Sequence, residues 1–469
     1  MTTEPEQQGS ATGAGVTQIV ADLPGALELR RRQSRRFRDV ADPGGPVTFT
    51  HWAIASATAL GWMIDSLGAS IYALIIPLLI VQFHSNLNQM TFDLLIVGLI
   101  AAAATYFWPW LADRIGRRPS FVINMLLTGA FLILTGFARS WNTFILFYAL
   151  FLLAEVGEWG IASTLTAETW PARYRGSILS FARSFYGYGA ALSGLVGTTL
   201  IAAYGWQAGY WVVAGIALLA VVVRFVCPES PYWVRVRDRK ARIKDMARRG
   251  IAIPEADQDW KAKADRPSVG QLFLVDQRRR TIVAVFVALT ATAAFATVGA
   301  WQPLYLSEAH HWSLGQYSNY ILWWGLVGAA GYYFCGWIAD RWSRLGAMLA
   351  GNVICIAFII PWSLVSDKWM LYAFGLAANF GLIGVWGTVL TYTAELFPTR
   401  IRGVGQGFAW ALAGLFTRGV PYAALWIRDQ TGSFQAAFLI IPGLLAIQII
   451  GLWIGKEEHA GQSLDAIAV

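Results

Sequence analysis

The sequence predicts an all-α integral membrane protein of twelve transmembrane helices arranged as two six-helix halves. Three observations carry this. First, 56% of the residues are hydrophobic and only 14% are charged, a balance outside the range of ordinary soluble domains. Second, apolar stretches recur along the chain, each near the ~20 residues that cross a bilayer core as a helix. Third, a pattern of charged and small residues returns 227 positions on (340 − 113): Asp113-Arg114 as Asp340-Arg341, and Arg117 as Arg344. Gly157, Trp159 and Gly160 return as Gly384, Trp386 and Gly387; Glu168, Pro171, Arg175 and Gly176 return as Glu395, Pro398, Arg402 and Gly403. No gap is needed, so the chain is a duplication, and duplication within a membrane is the architecture of alternating access.

The spans fall near 52–83, 91–112, 119–138, 142–165, 177–203, 206–227, 281–306, 317–339, 346–366, 369–393, 404–427 and 434–455. The first is too long for one pass, and its end is not fixed by the pattern. Lipid offers the backbone no partner, which makes helices the reading. Gly187, Gly189 and Gly194 in span five, with Gly405, Gly407 and Gly414 in span eleven, suit close helix packing. The organisation is then an N-terminal arm (1–50), a first bundle (51–227), a polar linker with short amphipathic helices (228–280), a second bundle (281–456) and a tail (457–469). Residues 1–20 read as disordered; residues 22–41 fit either a basic helix on an anionic leaflet or a plain solvated arm. Residues 1–50 are polar and basic and lack the apolar core of a cleavable signal, so none is expected before the first span.

Lys and Arg set the orientation. Arg30 to Arg38, the Arg114–Arg118 loop, Arg173, Arg175, the run from Arg235 to Arg280, Arg341, Arg344, Arg400, Arg402 and Lys456 all fall on one side. The positive-inside rule makes that side, with both termini, cytoplasmic in a plasma or bacterial inner membrane. The +8 net charge is thus a topology signal scattered over loops, and no nucleic-acid partner is expected. Cys227, Cys335 and Cys355 form no disulfide or metal framework. No phosphate loop, zinc spacing or nucleophile elbow occurs, so the chain is expected to be no enzyme and to hold no metal or cofactor.

The loop Trp110-Leu111-Ala112-Asp113-Arg114-Ile115-Gly116-Arg117-Arg118 resembles the signature loop of the major facilitator superfamily, with Pro109 in place of its leading glycine. Gly336-Trp337-Ile338-Ala339-Asp340-Arg341 is the second-half copy. Pro228-Glu229-Ser230-Pro231-Tyr232-Trp233 resembles the sugar-porter and organic-acid branches. Gly157-Glu158-Trp159-Gly160 with Ala167-Glu168-Thr169-Trp170-Pro171 is similar to the sialate and lactate proton symporters. The resemblance implies a gating network in which Asp113 and Asp340 latch the halves on the inside, each near a helix N-terminus of the other half. Arg114, Arg117, Glu168 and Arg175, with Arg341, Arg344, Glu395 and Arg402, complete it.

Charges that break the duplication point to the solute. Asp65 stands opposite Thr292, Glu155 opposite Leu382, Glu158 opposite Val385, Arg183 opposite Trp410, and Arg418 opposite Ala191. An ionisable group in the bilayer costs at least ~2.5–3.5 kcal/mol on insertion scales and by default faces a cavity. Glu155 and Glu158, three apart, are read as sharing one helix face, with Glu158 paired to Arg183; these three groups and Asp65 are the proton-coupling candidates. An ion pair is the bland reading of each arginine. Arg418 is the candidate carboxylate clamp, since a guanidinium binds a carboxylate bidentately.

Tryptophan is abundant, at 23 residues. Trp141, Trp206, Trp312 and Trp369 near span ends read as interfacial belt residues. Trp323, Trp324, Trp386, Tyr305 and Tyr392, with Gln302 and Asn379, are candidates for a pocket wall, against the plainer reading of core or lipid-facing aromatics. His84, His310 and His311 fall in outside loops. Together these predict a monomeric secondary transporter whose partners are a small solute, protons and lipid. The solute is a small organic anion, a monocarboxylate, moved in symport with a proton. A neutral sugar or polyol is the alternative, because the span-six motif is shared with sugar porters; a non-transporting sensor on the same fold is a second.

Overall fold

The computed structural model describes residues 47–226, 229–255, 257–258, 269–397 and 402–455. The N-terminal arm, Cys227 and the C-terminal tail lie outside the described residues. In the first half the helices are α1 (Phe49–Phe83), α2 (Leu87–Ile115), α3 (Arg117–Gly136), α4 (Trp141–Glu155), α5 (Glu158–Thr169), α6 (Ala172–Val196) and α7 (Trp206–Val226). A π turn, Gly197–Ile201, and Ala202–Tyr204 prolong α6. The linker carries α8 (Pro231–Arg248) and a 3-10 turn, Val269–Phe273. The second half holds α9 (Val275–Glu308), α10 (Leu314–Arg341), α11 (Arg344–Leu364), α12 (Lys368–Glu395), α13 (Arg402–Thr417), α14 (Val420–Thr431), α15 (Phe434–Phe438) and α16 (Ile440–Gly455). Among the described residues there is no strand. With α4/α5, α13/α14 and α15/α16 each counted as one interrupted rod, the passes number twelve, six in each half.

The first span is a single helix of 35 residues, about 52 Å long at 1.5 Å per residue. Thr48 and His51 cap its start reciprocally, and it stops at His84, which takes the left-handed conformation at φ 50°. The fourth span is not continuous. Trp108 Nε1 donates to the carbonyl of Leu153 at 2.8 Å, the group that Gly157 N–H would use to continue an α-helix. Gly157 N–H turns to Ala154 instead, and the Trp108 ring fills the space where a Cβ on Gly157 would stand. The eleventh span breaks for another reason. Pro421 has no N–H and its ring crowds the preceding turn, so α13 stops at Thr417 and α14 starts after Gly419.

The halves meet chiefly along α6 and α10. Added methyls on Gly187 and Gly194 would overlap the α10 backbone at Gly325 and Ala329 and at Ser318 and Leu322, the close approach that small residues permit in a membrane. Span eleven behaves otherwise: Gly407 and Gly414 have open space beside them, and Gly405 packs on Phe397. Three of the tryptophans read as belt residues are buried, because their indole N–H groups or ring faces find partners inside. Trp141 donates to Asp93 at 2.6 Å and Trp206 to Gln82 at 2.6 Å, while Trp312 stacks on Tyr372. Trp369 is exposed, as a belt residue would be. Cys335 and Cys355 are free and buried. In the linker, Arg239 and Arg242 bond Asp257 at 2.7 and 2.8 Å. Burial opposes ionisation there, but these bonds hold its carboxyl below the usual range.

Candidate substrate cavity and loop networks

A cavity of about 450 Å³ lies between the halves. From the first half its wall takes Trp62, Asp65, Tyr148, Glu155 and Tyr186; from the second, Thr292, Gln302, Trp324, Tyr332, Trp386, Trp410 and Arg418. The carboxyls of Asp65 (α1) and Glu155 (the last residue of α4) lie within side-chain hydrogen-bonding reach. Arg418 acts electrostatically on both, and on Tyr148. Its stem packs against Gly98 of α2, where an added methyl would sit 2.7 Å from Cδ. Among the described residues it forms no salt bridge within 4.0 Å. Arg418 occupies the break between α13 and α14, just before the N-terminus of α14; half-helix ends at mid-membrane are a feature of cavities that bind anions.

Aromatic rings build the remaining wall. Tyr186 meets Phe295 edge-on at 5.7 Å, Phe295 meets Trp386 at 5.7 Å, and Trp386 lies 5.5 Å from Trp410. Tyr72 stacks on Tyr148 at 4.8 Å. Trp62, Leu390 and Trp410 pack with Ala59 and Ala182 and close the cavity toward the face that carries the basic loops.

Of the residues singled out from sequence, Asp65, Glu155, Gln302, Trp324, Trp386 and Arg418 come together here. Glu158, Arg183, Asn379 and Tyr392 do not reach the wall. Glu155 and Glu158 do not share a helix face, because the break at Gly157 ends one helix at the first and starts another at the second. No ion pair joins Glu158 to Arg183: Glu158 is buried against Gly61, and Arg183 lies beside Tyr332. Asn379 spends its amide on the Trp324 carbonyl at 2.6 Å, and Tyr392 packs in the second half's core near Leu272 and Phe397. Tyr305 belongs to a ring cluster with Trp362 and Phe438 near the opposite face, and Trp323 is exposed. Sequence reasoning missed Tyr148, Tyr186, Tyr332 and Trp410; the Gly419-Val420-Pro421 run marked the break at Arg418.

The loop charges form a network within the first half. Arg117 bonds Asp113 at 2.5 Å and Glu168 at 3.5 Å, and Ser230 donates to Glu168 at 2.5 Å. Glu229 accepts from the backbone N–H of Arg117 at 2.8 Å and of Arg118 at 3.2 Å, so a carboxylate sits on the N-terminus of α3. That favours the helix dipole, a role the sequence reading did not assign. In the second half Arg344 bonds Glu395 at 3.4 Å. Among the described residues Asp113 makes no contact with the other half; Arg117, four residues on, satisfies the carboxylate from its own side. Arg114 and Arg341 lie over Trp110 and Trp337, at 4.1 and 5.3 Å from the ring centres. The side chains of Arg175, Asp340 and Arg402 lie outside those described.

Twelve all-α passes in two halves around an interfacial cavity are the architecture of a membrane carrier. The family model of the Major Facilitator Superfamily matches residues 58–417, and the chain belongs to that superfamily. The niacin transporter NiaP of Acinetobacter baylyi is 26% identical over 90% of this chain and 98% of its own. The 4-hydroxybenzoate transporter PcaK of the same organism is 24% identical over 86% of this chain and 89% of its own. Among solved structures, the xylose transporter XylE from E. coli in a partially occluded inward-open conformation superposes with a TM-score of 0.68 at 15% identity, covering 89% of this chain and 100% of that one. The protein is therefore a multi-pass membrane transporter and not an enzyme.

Proposed function

We propose that the chain carries a small aromatic monocarboxylate across the membrane in symport with a proton. One observation supports this above the others: a single cavity sets Arg418 of the second half against the Asp65–Glu155 carboxyl pair of the first, between aromatic walls. Two carboxyls within bonding reach hold one proton between them, and its arrival or departure changes how strongly the arginine is neutralised. With the proton on the pair, Arg418 is free to clamp a carboxylate through two parallel hydrogen bonds. The rings from Tyr186 to Trp410 would cover the faces of a flat solute, as offset or edge-on packing of aromatics does. The transport of niacin and of 4-hydroxybenzoate by two relatives supports an aromatic acid over a sugar.

With the basic face as the cytoplasmic one, anion and proton enter together and the cycle is electroneutral. The pH difference then drives it at about 1.4 kcal/mol per unit. The membrane potential, at about 2.3 kcal/mol per charge per 100 mV, contributes little. The test is uptake of nicotinate and 4-hydroxybenzoate into proteoliposomes. Arg418→Lys should weaken uptake ten- to a hundredfold, since hydrogen bonds to charged groups contribute about 1.5–3 kcal/mol. Wild-type uptake by Arg418→Ala would rule the clamp out, and xylose uptake without either acid would favour a neutral solute.

A further inference from the structure

Arg183 has no role in the cavity as described, yet it is built into the membrane interior. It is 6% exposed, and its Nε and Nη1 are buried with no hydrogen-bond partner among the described residues. A guanidinium held that way is expensive and functional by default. Its place is specific. On α6 it lies one turn from Tyr186, which lines the cavity, on the side of the basic face, and next to Ala182 of the closing cluster. Across the seam it lies beside Tyr332, another cavity residue. Ser184 Oγ donates to Tyr333 Oη at 2.7 Å at the same level, so α6 and α10 are pinned there by the neighbours of both residues. The duplication places Trp410, part of the same closure, at the equivalent position (410 − 183 = 227).

We infer that Arg183 is a second carboxylate site, behind the closing cluster, that receives the substrate anion as it leaves Arg418 toward the basic face. This rests on the carboxylate reading above. Charge supports it: a buried, unpartnered guanidinium at the seam attracts an anion once Trp62, Leu390 and Trp410 separate. Arg183 and Arg418 then bracket the closure from its two sides, and Tyr332 stands at the boundary as a hydroxyl able to pass the anion from one to the other. Because the site lies beyond the cavity, it acts on the rate of passage and leaves equilibrium binding in the cavity alone.

The experiment uses the full chain. Tryptophan fluorescence gives the Kd for nicotinate and for 4-hydroxybenzoate in detergent, and radiolabelled exchange in proteoliposomes gives the maximal rate. For Arg183→Gln we expect Kd within twofold of wild type and exchange slowed at least tenfold, with Arg183→Lys intermediate because it keeps the charge and loses the fork. Should the glutamine variant fail to fold, Arg183→Lys alone decides: slowed exchange at unchanged Kd supports the site. Exchange at the wild-type rate in the variants overturns it. So does a Kd weakened in step with the rate, which would make Arg183 part of the central site. A wild-type chain that binds neither acid overturns the carboxylate reading itself, and the second site falls with it.

Discussion

The two halves repeat the same charge pattern at their loops but differ inside the membrane and at particular turns, and each difference has a chemical consequence. In the cavity the first half supplies the carboxyls, Asp65 and Glu155, and the second half the guanidinium, Arg418; the equivalent positions are Thr292, Leu382 and Ala191. At the turn after the second helix of each half the contrast is in the backbone. Gly116 sits at φ 111°, ψ 159°, with Glu229 folded over it onto the start of α3. Its equivalent, Ser343, is extended at φ −166° and caps α11 by accepting from Gly346 N–H at 2.9 Å. Duplication has kept the frame, while the chemistry has been placed in one copy at a time. In the proposed cycle, a cation on one wall and acids on the other would make proton and anion binding depend on each other across the interface between the halves.

The largest effect should come from removing the acids. Asp65→Asn and Glu155→Gln are each expected to abolish accumulation of nicotinate against its gradient when the outside is acid. Exchange of labelled for unlabelled solute should persist, because exchange needs no net proton movement. The corresponding change in the other copy, Thr292→Val, should leave coupling intact. Uphill accumulation by both acid variants would mean that the proton is carried elsewhere, and the asymmetry of the cavity would lose its meaning.

Swapping the turn residues tests the second contrast. Gly116→Ser forces a side chain into a conformation that only glycine adopts readily, at about 1–3 kcal/mol, and drives its Cβ into Glu229. The reverse swap, Ser343→Gly, loses only a cap, at a few tenths of a kcal/mol. Thermal unfolding in detergent should rank Gly116→Ser well below Ser343→Gly, with Glu229→Gln between them because the α3 N-terminus keeps its hydrogen bonds but loses the charge. Equal melting points for the two swaps would show that the turns are interchangeable after all.

Fold class was legible because bilayer length and repeated charge patterns act locally and leave a periodic trace. The cavity was legible in part: Asp65, Glu155 and Arg418 stand out since a charge in lipid needs a reason, wherever the chain places it. Glu158 and Arg183 stand out equally, and nothing in their spacing says that Gly157 breaks the helix, because the cause is an indole from another helix, Trp108. The same holds for Glu229. Its contact with Arg117 spans 112 residues, and the motif that contains it names no partner. Tertiary hydrogen bonds decide these placements, and one sequence carries no trace of them.

The smallest effect concerns the outer turns, where the halves agree in one position and differ in the next. His84 and His311 (311 − 84 = 227) are both left-handed, at φ 50° and 55°, a conformation histidine tolerates better than most residues. The residue before each is Phe83 in one half and His310 in the other. Phe83 packs 6.1 Å from Trp206; His310 takes the like place 4.8 Å from Tyr305, with its Nε2 buried and without a hydrogen-bond partner among the described residues. Burial first, and then the neighbouring His311, lower the pKa of His310. The folded chain therefore resists a proton that the unfolded chain takes up near pH 6.5. Stability contributed by neutral His310 is full above that value and is lost as pH falls through it toward the lowered folded value. His310→Phe makes the second turn resemble the first and removes the penalty. The drop in melting temperature from pH 8 to pH 5.5 should shrink by about a degree in the variant, with no change at pH 8 beyond the packing difference. An unchanged pH dependence would place the acid sensitivity of the fold elsewhere and leave the two outer turns equivalent.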